Sequence, residues 1–290
     1  MALVVLTALW HLSTINKLRI AINGKLNSQA PSLDRGLLYG HTVFETIAIV
    51  DSTPRLLPAH LERLKNGALS LGIPLDDKLL ASELDEFCSP MTQSCLRITL
   101  SIGSGGRGYQ TPSEPQALRI LSEHEYPNYP NSHREIGITL GVSDIRLSHQ
   151  PLLAGIKHGN RLEQVIARQN WQQNWHEALL LDYQDNVIEA NSANVFIVKN
   201  KQLFTPKLDQ CGVDGVMRSY VIAMASELGF KTLAVSLSLE DILDADEVFL
   251  TNSLIGIWPV ANCQGQEFNN NKIAQALLNR LIIDEVIPHH

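Results

Sequence analysis

Cysteine is scarce in this sequence and nowhere spaced for use. Cys88, Cys95, Cys211 and Cys263 form no C-x-x-C pair and have no partnering histidines. Neither a zinc site nor a disulfide framework is expected, and buried free thiols in a reducing cytoplasm follow. Positive charge is in deficit too: 23 Lys and Arg against 30 Asp and Glu leave a formal charge of −7. A nucleic-acid backbone or an anionic membrane surface would repel such a chain, so a small molecule is the expected partner. No apolar run reaches the roughly twenty residues that a bilayer demands. The opening Met1 to Trp10 is apolar but short, and it lacks the basic start and small-residue cleavage site of a signal peptide. Residues 1–17 are read as an N-terminal extension: an extra strand, a disordered arm or an upstream start. Low-complexity tracts are absent and the composition is 44% hydrophobic, so a folded globular protein is expected, long enough for two lobes.

Leu18 to Lys25 predicts a strand running into an Asn-Gly turn, and Val43 to Val50 resumes extended structure. His60 to Leu71 carries Leu61, Leu64, Ala68 and Leu71 at helical spacing and stops at Gly72. Strands follow at 94–102 and 117–122. The stretch 123–134, with Pro127 and Pro130, has no periodicity and reads as a linker. Beyond it the pattern predicts a strand at 137–142 and a helix from about Arg161 to Trp175. Strands at 178–181 and 187–190, a hairpin joining 194–198 to 202–205, and a helix over about 215–228 come next. Strands at 232–235, 248–251 and 256–260 precede a closing helix at 272–283. Strands and helices mix without regular βαβ alternation, so the class is α+β, with lobes at 18–125 and 135–290 joined by 126–134.

Gly103-Ser-Gly105-Gly106-Arg-Gly108 satisfies the G-x-G-x-x-G pattern of a dinucleotide site and follows a strand. Pro112 and Pro115 stand where the required helix would open, which removes the positive helix end that holds a pyrophosphate. A close-approach loop is expected instead, one that turns Arg107 and Tyr109 towards a ligand, with the guanidinium forking onto a carboxylate.

Lys157 closes the apolar run Pro151 to Ile156, and Asn160 with Glu163 has the spacing of a capping box opening a helix. A lysine held at that junction is desolvated and keeps some neutral amine, as a nucleophile towards carbonyl compounds must; a solvated surface lysine is the alternative. A lysine of that kind usually serves pyridoxal phosphate, which also needs an acid for its ring nitrogen and an anchor for its phosphate. Glu189, ending a strand before Ala190-Asn-Ser-Ala-Asn194, is the candidate acid; a solvated strand-end glutamate is its alternative. Gly212-Val-Asp-Gly215-Val-Met-Arg218 is a glycine turn opening a helix, which presents free N–H groups to an anion. Ser253 and Arg63 could add a hydroxyl and a charge.

Together these segments resemble the class IV, fold-type-IV pyridoxal-phosphate enzymes, a D-amino-acid and branched-chain aminotransferase-like fold, and within it the aminodeoxychorismate lyases. The resemblance runs from about Ile22 to Val260. It rests on Asp34-Arg-Gly-Leu-Leu-Tyr-Gly40, Val43-Phe-Glu-Thr46, His60-Leu-Glu-Arg-Leu64, Ser104-Gly-Gly-Arg-Gly-Tyr109, Lys157-His-Gly-Asn-Arg-Leu-Glu-Gln164, Glu189, Asn194-Val-Phe196 and Leu208 to Arg218.

The resemblance implies Lys157 as the lysine that bonds the cofactor, Glu189 on its pyridine nitrogen and Arg63 on its phosphate. Backbone groups of Val216 and Met217 and the Ser253 hydroxyl would complete the phosphate cup. Arg107 and Tyr109 would face substrate carboxylates, with Tyr39 and Asn252 nearby. It further implies a larger C-terminal lobe, the cofactor in the cleft, and a homodimer whose partner borders each site. The implied reaction converts 4-amino-4-deoxychorismate to 4-aminobenzoate and pyruvate, a step towards folate. An aminotransferase of the same fold, acting on branched-chain or D-amino acids, is the first rival; a non-catalytic binding protein is the second. Two residues depart from the pattern. His41 replaces a common Asp, which implies altered local hydrogen bonding, and Gly159 replaces a usual Leu, which implies a looser lysine loop.

Overall fold

Asn23 and Gly24 both take positive φ (49° and 75°), the backbone that a tight hairpin turn between right-twisted strands requires. They join β1 (Ile20–Ile22) to β2 (Lys25–Leu26) in a computed structural model that describes residues 18–288. The expectation for residues 1–17 lies outside the described residues. A short helix α1 (Arg35–Tyr39), capped by the Asp34 side chain on Gly36 N, leads into β3 (Thr42–Val50) and β4 (Thr53–Pro54). Helices α2 (Leu57–Ser70) and α3 (Asp77–Cys88) precede β5 (Ser94–Ser101) and β6 (Leu118–His124). The six strands form an antiparallel sheet in the order β2-β1-β6-β5-β3-β4. Its core packs Ile47, Ile49, Leu96 and Ile98 against Leu64, Leu84 and Phe87 of the two helices.

α2 starts three residues earlier than the periodicity from His60 suggests, because Pro58 fits a first turn, where no amide hydrogen is needed. Residues 73–93 carry no expectation, yet α3 forms there, with Asp76 accepting from the amides of Lys78 and Leu79, both at 3.0 Å.

The chain passes through a short helix α4 (Ser132–Glu135) into β7 (Ile138–Leu147), and after a long loop into α5 (Leu162–Gln169). It continues through β8 (Glu177–Asp182), β9 (Asn186–Ala190), β10 (Asn194–Lys199), β11 (Gln202–Pro206) and α6 (Val216–Glu227). Then come β12 (Thr232–Val235), β13 (Leu237–Ser238), α7 (Leu239–Leu243), β14 (Glu247–Asn252), β15 (Gly256–Cys263), β16 (Gln266–Glu267) and α8 (Lys272–Ile283). These strands make a ten-stranded sheet ordered β12-β11-β10-β14-β15-β7-β8-β9-β13, with β16 beside β15. Three pairs, β7 with β15, β7 with β8 and β11 with β12, are parallel and the rest antiparallel, so the α+β reading holds. One face is covered by α6 and α8, around stacked Phe196 and Phe249 rings 5.0 Å apart. Each large apolar side chain so buried contributes about 1.5 to 3 kcal/mol.

The helix expected from Arg161 to Trp175 ends at Gln169. The chain breaks away to lay the Trp175 ring on Gly141 of β7, where a Cβ would sit 2.0 Å from the indole. β7 runs on to Leu147, five residues past its expected end, with a register shift against β8.

The α8 N-terminus has no side-chain cap of its own. The buried Glu247 carboxylate on β14 takes that part, accepting from Ile273 N at 3.0 Å and Ala274 N at 3.0 Å. Glu247→Ala is therefore expected to lower stability by about 1 to 2 kcal/mol in denaturant titrations. An unchanged midpoint would mean that water caps α8 equally well.

Candidate active site

Residues 155–159 have their backbone groups held from both sides, with Gly155 turning into the segment at φ 79°. Gly155 donates to Gly212 O at 3.0 Å and accepts from Asp214 N at 3.1 Å. Lys157 O accepts from Phe44 N at 3.0 Å, and Gly159 N donates to Thr42 O at 2.9 Å. The segment thus pairs with the open edge of β3, because β4 covers that strand only at Ile49 and Val50. Successive carbonyls of an extended chain point to opposite sides. Those of Ile156 and His158 turn away from β3 and accept from Arg161 Nη2 at 3.2 Å and Arg161 Nε at 2.8 Å.

Two local expectations change here. The Asn160–Glu163 capping box does not form: Asn160 lies against Gly40, Glu163 accepts from Ser148 N at 2.9 Å, and α5 opens after Arg161 without a side-chain cap. Gly159 tightens the lysine segment where loosening was expected. A Cβ there would lie 2.1 Å from Thr42 Oγ1, so the bare backbone is what lets the segment approach β3. At His41, Nε2 lies 2.7 Å from Leu71 O.

The Lys157 Nζ rests 4.6 Å from the centre of the Phe44 ring and has no carboxylate partner among the described residues. Burial, reinforced by the charges of Arg63 and Arg161, outweighs the attraction of Glu45 and Glu189 and brings its pKa down to about 8. Glu189 is buried on β9, with Oε2 accepting from Val213 N at 2.8 Å. Burial raises its pKa against the pull of that amide, of Arg161 and Lys157, and of Gln164. A carboxylate so placed gains from a cationic N–H donor.

Both groups open on a cavity of about 370 Å³, which Arg63, Val216, Met217, Asn252 and Ser253 also line. Arg63 is held rigidly: Nε and Nη2 fork onto Glu45 at 2.7 and 2.5 Å, and Nη1 donates to Asp214 O at 2.9 Å. His60 Nδ1 completes the group, 2.6 Å from Glu45 Oε2. Burial opposes ionisation of Glu45, yet the bonds from Arg63 and His60 hold its pKa below the usual range; burial also lowers that of His60. The set is one carboxylate, one guanidinium and a neutral imidazole. Gly215 caps α6 without a side-chain bond, so the Val216 and Met217 amides begin the helix with no acceptor inside it. Asn252 is engaged in shaping its loop, donating to Ser192 O at 3.1 Å and accepting from Leu254 N and Ile255 N, both at 2.9 Å. Three other lining groups, Gln164 Oε1, Asn191 Oδ1 and Thr251 Oγ1, are buried without a partner.

Tyr39, Arg107 and Tyr109 are not among the cavity's lining residues. Arg35 Nη1 ties their loop down through Gly105 O at 3.2 Å and Gly108 O at 2.9 Å. Tyr109 is 89% exposed and meets Tyr39 edge-on at 5.5 Å.

Three residues without an expected role belong to the site, Glu45, Arg161 and Gln164, and a fourth, Arg97, stands beside it without lining the cavity. Arg97 lies 4.0 Å from the Phe44 ring, opposite the cavity-lining Thr46, with no carboxylate partner among the described residues. Burial lowers its pKa. Its sequence signal is a single charge inside the apolar strand Cys95-Leu-Arg-Ile98.

Residues 42–263 match the family model for amino-transferase class IV. An aminodeoxychorismate lyase from Vibrio harveyi is 36% identical over 87% of this chain and 93% of its own length. A putative branched-chain-amino-acid aminotransferase from Methanocaldococcus jannaschii is 30% identical over 89% of this chain and 92% of its own. The crystal structure of 4-amino-4-deoxychorismate lyase from Pseudomonas aeruginosa superposes with a TM-score of 0.89 at 39% identity, covering 91% of this chain and 98% of that one.

The depressed pKa of Lys157 carries a stability cost with a definite pH window. Below about 8 the amine is charged in both the folded and unfolded chain and the full penalty applies; above its ordinary value of 10.5 it is neutral in both and the penalty is gone. Without cofactor, Lys157→Met is expected to be more stable than wild type at neutral pH, the gap closing as pH rises through that window. A gap that stays constant in chemical denaturation across the window would show that Lys157 is not desolvated.

Proposed function

The chain belongs to the class IV aminotransferase family, and from that premise we propose that it is a pyridoxal-phosphate lyase converting 4-amino-4-deoxychorismate to 4-aminobenzoate and pyruvate. The observation that carries the reading is an unpaired, desolvated lysine facing a buried carboxylate across one cavity. The 36% and 39% identities to proteins named for that lyase choose the reaction. The residues fit the cofactor: Glu189 for the pyridinium N–H, and Arg63, the free amides of Val216 and Met217 and the Ser253 hydroxyl for the phosphate. When bound, pyridoxal phosphate supplies an aldehyde for an amine and a ring that withdraws electrons from the adjacent carbon.

Lys157, with a pKa about 8, holds enough neutral amine to bond an aldehyde and to be displaced by a substrate amine. Once freed, it takes the proton from the amine-bearing carbon and returns it to the departing enolpyruvyl oxygen. Aromatisation of the product makes the step run forward. Arg97, a half-buried cation beside the cavity-lining Thr46 and without a carboxylate partner among the described residues, suits a substrate carboxylate.

A homodimer accounts for the outer surface. Leu37, Leu152, Leu162 and Ile166 are exposed apolar side chains, and the Gly40–Asn160 and Tyr39–Tyr109 contacts join their elements into one region. A second copy covering it would bring Arg107 and Tyr109 to the partner's cavity. The two sheets are read as two lobes with residues 126–134 between them. Four buried free cysteines agree with a reducing cytoplasm.

Purified protein is expected to absorb in the near ultraviolet to visible range, and borohydride should fix the cofactor to Lys157. Peptide mapping that found it on another lysine would overturn the assignment. The aminotransferase reading, supported by the Methanocaldococcus jannaschii relative, is tested in the same preparation: release of pyruvate and 4-aminobenzoate from aminodeoxychorismate should far exceed amino-group transfer from branched-chain and D-amino acids.

Arg107→Ala should lower kcat/KM for aminodeoxychorismate about ten- to a hundred-fold, the worth of one charge-assisted hydrogen bond, with the cofactor still bound. Transfer from monocarboxylate amino acids should be spared. Parallel loss of both activities would make Arg107 a residue of the loop or the dimer and not of the substrate.

A further inference from the structure

Arg161 lines the cavity, yet two of its five donors point back into the chain that carries the nucleophile. A strand interior to a sheet has both rows of backbone groups paired. The lysine segment has β3 on one side only, where Lys157 O and Gly159 N are taken. On the other side the carbonyls of Ile156 and His158 would be left without a protein partner, and a carbonyl left unpaired out of water costs about 1 to 3 kcal/mol. The Arg161 guanidinium meets both, at 3.2 and 2.8 Å. Its donors are rigidly spaced in a plane, which a lysine ammonium cannot reproduce. The turn through Gly159 and Asn160 is what returns residue 161 to the flank of residue 157.

We propose that Arg161 is a positioning residue whose guanidinium substitutes for the missing neighbouring strand, clamping the carbonyls on either side of Lys157 and so setting the direction in which the nucleophile enters the cavity. The clamp leaves a fixed positive charge beside the amine. Arg161 is therefore one of four charged groups acting on Lys157, with Arg63 from α2, Glu45 from β3 and Glu189 from β9. Its charge and its fork are separable by substitution: Arg161→Gln removes the charge, and Arg161→Lys keeps the charge but removes the fork. This inference rests on Lys157 being the nucleophile but not on the identity of the substrate.

The test uses the full-length chain freed of cofactor. The first measurement is the pH profile of Lys157 acylation by acetic anhydride, read by peptide mapping. The second is amide hydrogen exchange over residues 155–160. Wild type should show an inflection near pH 8. Arg161→Gln should move it upward, so that labelling below the inflection slows about threefold, equivalent to roughly half a pKa unit, and exchange should quicken. Arg161→Lys should keep the inflection while exchange quickens about tenfold or more, a shift that a residue acting through charge alone would not cause. An unmoved inflection in Arg161→Gln, or wild-type exchange in Arg161→Lys, overturns the proposal. Should Arg161→Gln not fold, the Arg161→Lys exchange rate decides alone. A clamp upheld in a protein that takes up no cofactor would sink the lyase reading and leave this one standing.

Discussion

The pairing of residues 157–159 with the open edge of β3 is the interaction on which the rest of the site depends. It involves only two backbone hydrogen bonds, Phe44 N to Lys157 O and Gly159 N to Thr42 O, each worth about 1 kcal/mol net. Those two bonds bring the loop that leaves the larger sheet onto a strand of the smaller one. Much that acts on the amine follows from that contact. Phe44 comes beneath Nζ, Glu45 follows in the same strand to hold Arg63, and Gly155 ties the other end of the segment to the turn before α6. The Lys157 amine, the fixed guanidinium and the helix start are positioned by one short stretch of chain.

The electrostatics show how the Lys157 amine is kept partly neutral. Burial is the largest influence on Lys157, and two guanidiniums add to it while two carboxylates oppose them. Neither carboxylate pairs with the amine directly. Glu45 is taken by Arg63 and His60, and one Glu189 oxygen by the Val213 amide. A direct ion pair would have held the ammonium charged; an aromatic ring in its place gives a weaker hold, of order 0.5 to 2 kcal/mol.

Much of this was legible in the sequence, and the failures share a cause. Lys157 and Glu189 stand out because apolar runs end on charged residues at element boundaries, a local signal. The rejected dinucleotide motif rests on Pro112 and Pro115, again local, and no helix follows Gly108. The closing helix at 272–283 and the hairpin at 194–205 follow from period and turn residues alone. Where contacts reach across the chain, local reading loses. Asn160 has the spacing of a cap but lies against Gly40, some 120 positions away. Trp175 continues a helical pattern but serves Gly141. Arg97 and Arg161 are ordinary arginines until their surroundings are seen to lack a carboxylate or a strand.

Gly159 and Thr42 also carry a consequence for descent. The position a side chain would occupy at 159 is filled by the Thr42 hydroxyl, so the two sites are not free to vary independently. A lineage exchanging Gly159 for leucine would first have to accept a smaller or rotated residue at 42, and the reverse change at 42 would leave a void until 159 grew. The order of substitutions is thereby constrained, and the two positions should be inherited as a pair.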